Sequence, residues 1–134
     1  MATIVAQTTR KYKDLDLAFT KHPVRGDINK HIDEIAVINS IKNLILTNHY
    51  EKPFHPEVGS GVKALLFELM DDVTARILEK EIEQVIENFE PRVKIKKITA
   101  SPDFDNNRYS VSMSFLIVNK TDPITINFFL ERER

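Results

Sequence analysis

The stretch LEKEIEQVIENFEPRVKIKKITA, residues 78–100, changes its hydrophobic period in mid-course, and that change decides the fold. Before it, Leu78, Ile82, Val85 and Phe89 recur at spacings of four, three and four, which predicts an amphipathic helix over about 73–89. Asp71 and Asp72 suit the positive end of that helix. Pro91 stops it, because proline lacks an amide proton and disfavours helix at the residue before it. Beyond Pro91 the period becomes two. In RYSVSMSFLI, residues 108–117, Tyr109, Val111, Met113, Phe115 and Ile117 share one face of a strand, and Arg108, Ser110, Ser112 and Ser114 share the other. Flanking strands are predicted at about 93–101 and 124–131, joined through the turn-rich segments DFDNN (103–107) and NKTDP (119–123). The fold class that follows is α+β in two layers, with about three helices covering one face of a three-stranded antiparallel meander.

Upstream, Ile35, Ile38, Ile41 and Ile45 predict a helix from about Asp33 to Thr47, with Asp33 as its cap and Asn48 at a left-handed exit. Residues 49–61, HYEKPFHPEVGSG, hold two of the six prolines and two of the three glycines, so they form a shaped connection. A shorter helix is expected over about 60–70, with Val62, Leu65, Leu66 and Leu69 on one side and Ser60 as cap. Between Leu15 and Asp33, short strands or turns are interrupted by Pro23 and Gly26. Residues 1–14 lack sustained periodicity and read as a surface arm. The remainder, 15–134, reads as one domain.

Composition narrows the task by exclusion. The chain has 134 residues, 19 Lys and Arg against 20 Asp and Glu, and no cysteine. A net charge of −1 gives no global positive field for a phosphate backbone, so no nucleic acid is expected as partner. Without cysteine there are no disulfides, thiolate nucleophiles or usual structural zinc sites. No glycine-rich phosphate loop occurs, and no cofactor is expected. Uncharged stretches are short and Met1–Gln7 lacks a secretory signal pattern, so no membrane association is expected and the protein is expected to stay in the cytoplasm in which it is made.

Glu90-Pro91-Arg92 is the most informative triplet. Glu90 falls where the helix dipole disfavours a carboxylate, by about 0.3–1 kcal/mol at an exposed site. Two residues apart around a rigid proline, Glu90 and Arg92 can pair with each other or with a partner's charges; the plain alternative is a helix stop flanked by solvated charges. A glycosidase would need two carboxylates in unlike environments, and the available pairs are Glu51 with Glu57 and Glu68 with Asp71 or Asp72. None lies beside an aromatic cluster that suggests a sugar cleft. His22, His31, His49 and His55 lack rigid metal-ligand spacing, so no metal is expected, and Ser40, Ser60 and Ser101 lack a nucleophile elbow. A three-stranded meander also has two edges that can accept a strand from another chain. Lys94, Lys96 and Lys97 either guard the first edge or select an acidic partner.

The segment KPFHPEVGSGVKALLFE at 52–68, followed by NFEPRV at 88–93, resembles the baseplate wedge proteins of contractile-tailed phages and of related systems, including type VI secretion baseplates. The likeness extends from NSIKNLILTN at 39–48 through the last strand. It implies a non-enzymatic component of the virion tail baseplate, assembled in the host cytoplasm in several copies around a ring, with other wedge proteins and tail sheath subunits as partners. It maps the family's Glu-Pro-Arg motif onto Glu90, Pro91 and Arg92 as partner-binding residues. Because the family resembles the strand-exchanging domain of sheath subunits, it also implies that the sheet edges template the first sheath ring. Some members carry a lysozyme-like label, which makes a peptidoglycan-cleaving tail enzyme the alternative.

Overall fold

The computed structural model describes residues 13–15, 19, 21, 23–27 and 30–132, so all of the expected arm except Lys13 and Asp14 lies outside the described residues, as does His22. The chain divides into two units, residues 1–38 and 39–134. In the first, β1 (Lys13–Leu15) pairs antiparallel with β2 (Lys30–Ile32), with a turn at 23–25 in the connection. Helix α1 (Glu34–Leu46) begins in this unit and ends in the second.

The second unit contains α2 (Val62–Leu66), α3 (Asp72–Phe89) and the antiparallel sheet β3 (Val93–Asp103), β4 (Arg108–Ile117) and β5 (Ile124–Glu131), in the order β3-β4-β5. This is the expected α+β fold with its meander. The alternation read from β4 is realised: Tyr109, Val111, Met113, Phe115 and Ile117 are all buried. On α3, Ala75, Leu78, Ile82, Val85 and Ile86 are buried, and the helix packs beside β3. Both predicted turn segments contain a left-handed asparagine, Asn107 at φ 51° and Asn119 at φ 77°.

Three local expectations are corrected. On α1, Ile35 is 54% exposed, and the buried residues are Ala36, Val37, Ile41, Leu44 and Ile45. Ile35 sits two residues, about 200° of helical rotation, from Val37, so it cannot share that stripe. Asn48 does not take the left-handed exit; it bridges to Ser60, and the left-handed residues of the loop are Tyr50 and Phe54, both at φ 67°. Finally, α2 ends at Leu66, leaving Leu69 75% exposed. The chain must leave the helix there because Asp71, extended at φ −148°, accepts the Thr74 amide at 2.6 Å as the cap of α3. Ser60 is not the cap of α2 either. Its buried hydroxyl donates to the Ile45 carbonyl at 2.5 Å, while Glu81 on α3 accepts the Gly61 amide at 2.8 Å.

Gly59 holds the 47–60 loop closed. At φ +150° it lies so near Asn48 that an added Cβ would stand 2.6 Å from that residue's carbonyl carbon and oxygen, and 2.8 Å from the His49 nitrogen. All three are backbone atoms and cannot swing aside. Gly59→Ala is expected to cost about 1–3 kcal/mol, read as a lower urea midpoint, whereas an unchanged midpoint would mean that the loop carries no strain.

Candidate functional site

The last turn of α3 delivers Glu90 to the junction between helix and sheet. Its amide still donates to the Ile86 carbonyl at 2.8 Å, its φ and ψ of −123° and 77° leave the helix, and Pro91 prevents any return. The side chain is buried, 4% exposed, whereas that of Arg92 is 24% exposed. The two residues pair with each other: Arg92 donates from Nε to Glu90 Oε1 at 2.5 Å and from Nη2 to Oε2 at 2.7 Å. This bidentate fork is the strongest geometry available to a guanidinium and a carboxylate. Ser40 on α1 donates a third bond to Oε2 at 2.7 Å. Burial pushes the Glu90 carboxyl up, but the bonds from Arg92 and Ser40, with the charge of Arg92, outweigh it and hold the group below its ordinary value. Solvated charges flanking a helix stop are thereby excluded. The cluster ties α1, α3 and the start of β3 together, and the Arg92 carbonyl accepts the Val118 amide at 2.8 Å to close the β3–β4 ladder.

Ser40 was missed as part of this site. The signal was present, since Ser40 lies three and four residues from Val37 and Leu44 on the same stripe, and a polar residue there calls for a buried partner.

The other candidates are dispersed. Glu51 accepts the Asn48 amide at 2.8 Å, and Glu57 lies 3.3 Å from His55 in an exposed pair. Glu68 is exposed, and Asp71 is occupied as a cap. The carboxyls of Glu57, Asp71, Glu90 and Asp103 are all displaced downward, Glu57 chiefly through a backbone amide, Asp71 through the Thr74 amide and Asp103 through the Asn106 side chain. A glycosidase acid needs a carboxyl displaced upward. Among the described residues no group of three or more His, Asp or Glu side chains could hold a metal, and no helix is long and apolar enough to cross a membrane.

The two margins of the sheet differ. In an antiparallel ladder alternate residues turn their backbone groups to opposite sides. The Arg132 amide bonded to the Asn107 carbonyl sets that alternation for β5, so Thr125, Asn127, Phe129 and Glu131 face away from β4. On β3 the outward residues include Ala100 and Pro102. Glu79 of α3 already accepts the Ala100 amide at 2.7 Å, and Pro102 has no amide to offer. A register shift between Ile95 and Lys97, together with exposed Lys94, Lys96 and Lys97, completes a guarded margin. The β5 strand, ITINFFLE, has no lysine, proline or register shift.

The family model described as baseplate wedge protein gp25 matches residues 32–121, which takes in the junction, the shaped loop and most of the sheet. The chain belongs to the baseplate wedge protein gp25 family. The gp25 of Enterobacteria phage T4 is 28% identical over 120 residues, covering 90% of each chain. Two solved structures share the fold. A chain of the anti-feeding prophage baseplate has TM-score 0.71 and 22% identity, covering 84% of this chain and 90% of that one. A Geobacter sulfurreducens protein, provisionally termed a tail lysozyme, has TM-score 0.69 and 20% identity, covering 75% of this chain and 92% of that one. In this member of the wedge family, residues 90–92 lie where helix passes into sheet.

Proposed function

We propose that the chain is a structural, non-enzymatic wedge component that joins the baseplate core to the contractile sheath and templates the first sheath ring by accepting a strand. Its partners are other wedge proteins and sheath subunits, with several copies around a ring in the tail baseplate and assembly in the host cytoplasm. The observation that carries this reading is the unguarded β5 margin. Natural sheets protect an edge of this length unless another chain completes it. Membership of the gp25 family supports the same conclusion. Glu90, Pro91 and Arg92 form the second contact: Glu90 fixes the guanidinium from inside, and exposed Pro91 with the solvent-reaching side of Arg92 meets a neighbouring wedge protein. Weak contacts of both kinds, repeated around a ring, act together.

Asn127→Pro tests the strand-addition step. The Asn127 amide points away from β4, so proline removes a donor from the margin without cutting the β4–β5 ladder. The variant is expected to remain a folded protein and to abolish sheath polymerisation on purified baseplates. Normal sheath on the variant would overturn the reading. The same preparation of unmodified protein is expected to release no peptidoglycan fragments above a heat-killed control, and turnover abolished by replacing one carboxylate would instead establish the lytic alternative.

A further inference from the structure

We propose that the β5 margin selects a partner segment in which every second side chain, the set turned to the groove, is either aliphatic or acidic, with neutral polar residues between. This rests on strand addition at β5 and names the chemistry of the incoming strand. The first ground is an unfinished core. On β4 every core-facing residue is buried; of their neighbours on β5, Leu130 is buried but Ile124, Ile126 and Phe128 are only half-buried, so over most of its length the apolar layer continues past the last strand. The second is the groove beside it. Two contiguous hollows of about 350 Å³ and 190 Å³ share Leu46, Phe129 and Leu130. Within them Leu46 is 52% exposed and Phe67 63%. An added strand would present every second side chain to this groove, and aliphatic groups there would remove that surface from water.

The third ground is charge. Lys63 lines the larger hollow and Lys42 the smaller, and neither is within ion-pair distance of a carboxylate among the described residues. Glu131 lies at one end, where Arg132 donates to the Phe67 carbonyl at 3.1 Å. The groove wall therefore carries two ammonium groups on flexible stems beside an apolar floor, against the one carboxylate of Glu131 in the lining. Backbone pairing supplies affinity to any extended peptide, and this wall supplies the preference for carboxylates.

The test uses the full chain, isotope-labelled for amide exchange, and two extended peptides of about ten residues. In one, Leu and Glu share the alternate positions that face the groove and Thr fills the positions between; the other replaces each Glu by Lys. The acidic peptide is expected to bind about tenfold more tightly at low salt, with the amides of Asn127 and Phe129 protected from exchange. The double variant Lys42→Glu with Lys63→Glu is expected to reverse that preference, and Leu46→Asp to weaken both peptides. Protection of the β5 amides with no preference and no reversal overturns the proposed chemistry while leaving strand addition in place. Absence of protection by either peptide at millimolar concentration, or binding that leaves those amides unprotected, overturns strand addition itself. Protection produced by self-association without peptide assigns the margin to a second copy and likewise overturns the proposal.

Discussion

Arg92→Ala is expected to lower the free energy of unfolding by about 3–5 kcal/mol and to reverse the sign of the pH dependence that Glu90 contributes. The loss is large because the arginine leaves behind a carboxylate whose side chain is 4% exposed. In the native protein the Glu90 carboxyl lies below its ordinary value of 4.5, so its stabilising contribution is complete above about pH 4.5 and is lost as pH falls through the folded value. Without the guanidinium, burial acts on Glu90 opposed only by the Ser40 hydroxyl and the backbone amide of residue 92, and its pKa is expected to rise above 4.5. The contribution is then present below about pH 4.5 and lost as pH rises through the new value. Urea unfolding from roughly pH 3 to pH 8 should therefore show the two proteins converging in acid and diverging towards neutrality. Parallel curves would mean that the pair does not govern the junction. Glu90→Gln in the Arg92→Ala background should recover part of the loss at neutral pH, since it removes the stranded charge while keeping the side chain's shape.

Phe115→Ala is expected to cost about 3–5 kcal/mol, and Ser114→Ala, one residue away, no more than about 0.5 kcal/mol. Phe115 is fully buried between β3 and β5 under the helical layer, so its removal costs transfer free energy and opens a cavity. Ser114 points to the other face, where it makes only an exposed hydroxyl bond of 2.9 Å to Thr125. The comparison isolates the face of the strand from its position in the chain. Urea midpoints with an unchanged slope are the measurement, and equal losses from the two substitutions would contradict the assigned faces.

These expectations differ in how far they could be read from the residues. Phe115 could be assigned to the core from RYSVSMSFLI alone, because alternation from Arg108 to Phe115 admits a single face. The end of α3 was equally legible, since Pro91 acts through covalent geometry that no context removes. The stripe of α1 was harder. Isoleucines at 35, 38, 41 and 45 suggest one face, but valine at 37 and leucine at 44 define the buried one, and only the neighbours of the helix choose between overlapping stripes. The burial of Glu90 was hidden for the same reason. Its hydroxyl partner is Ser40, fifty residues away, and no local pattern links the two.

The residues by themselves determined the helix-then-sheet order, the turns at Asn107 and Asn119, the buried face of β4 and the likeness to wedge proteins. Each depends on local stereochemistry or on short ordered motifs, which tertiary context rarely overturns. Only the folded arrangement decided which margin of the sheet is open. Glu79 reaches the Ala100 amide because α3 lies beside β3, while β5 emerges next to a groove that no helix fills. Whether a backbone amide is satisfied depends on what stands opposite it in space, and that is fixed only when the elements pack.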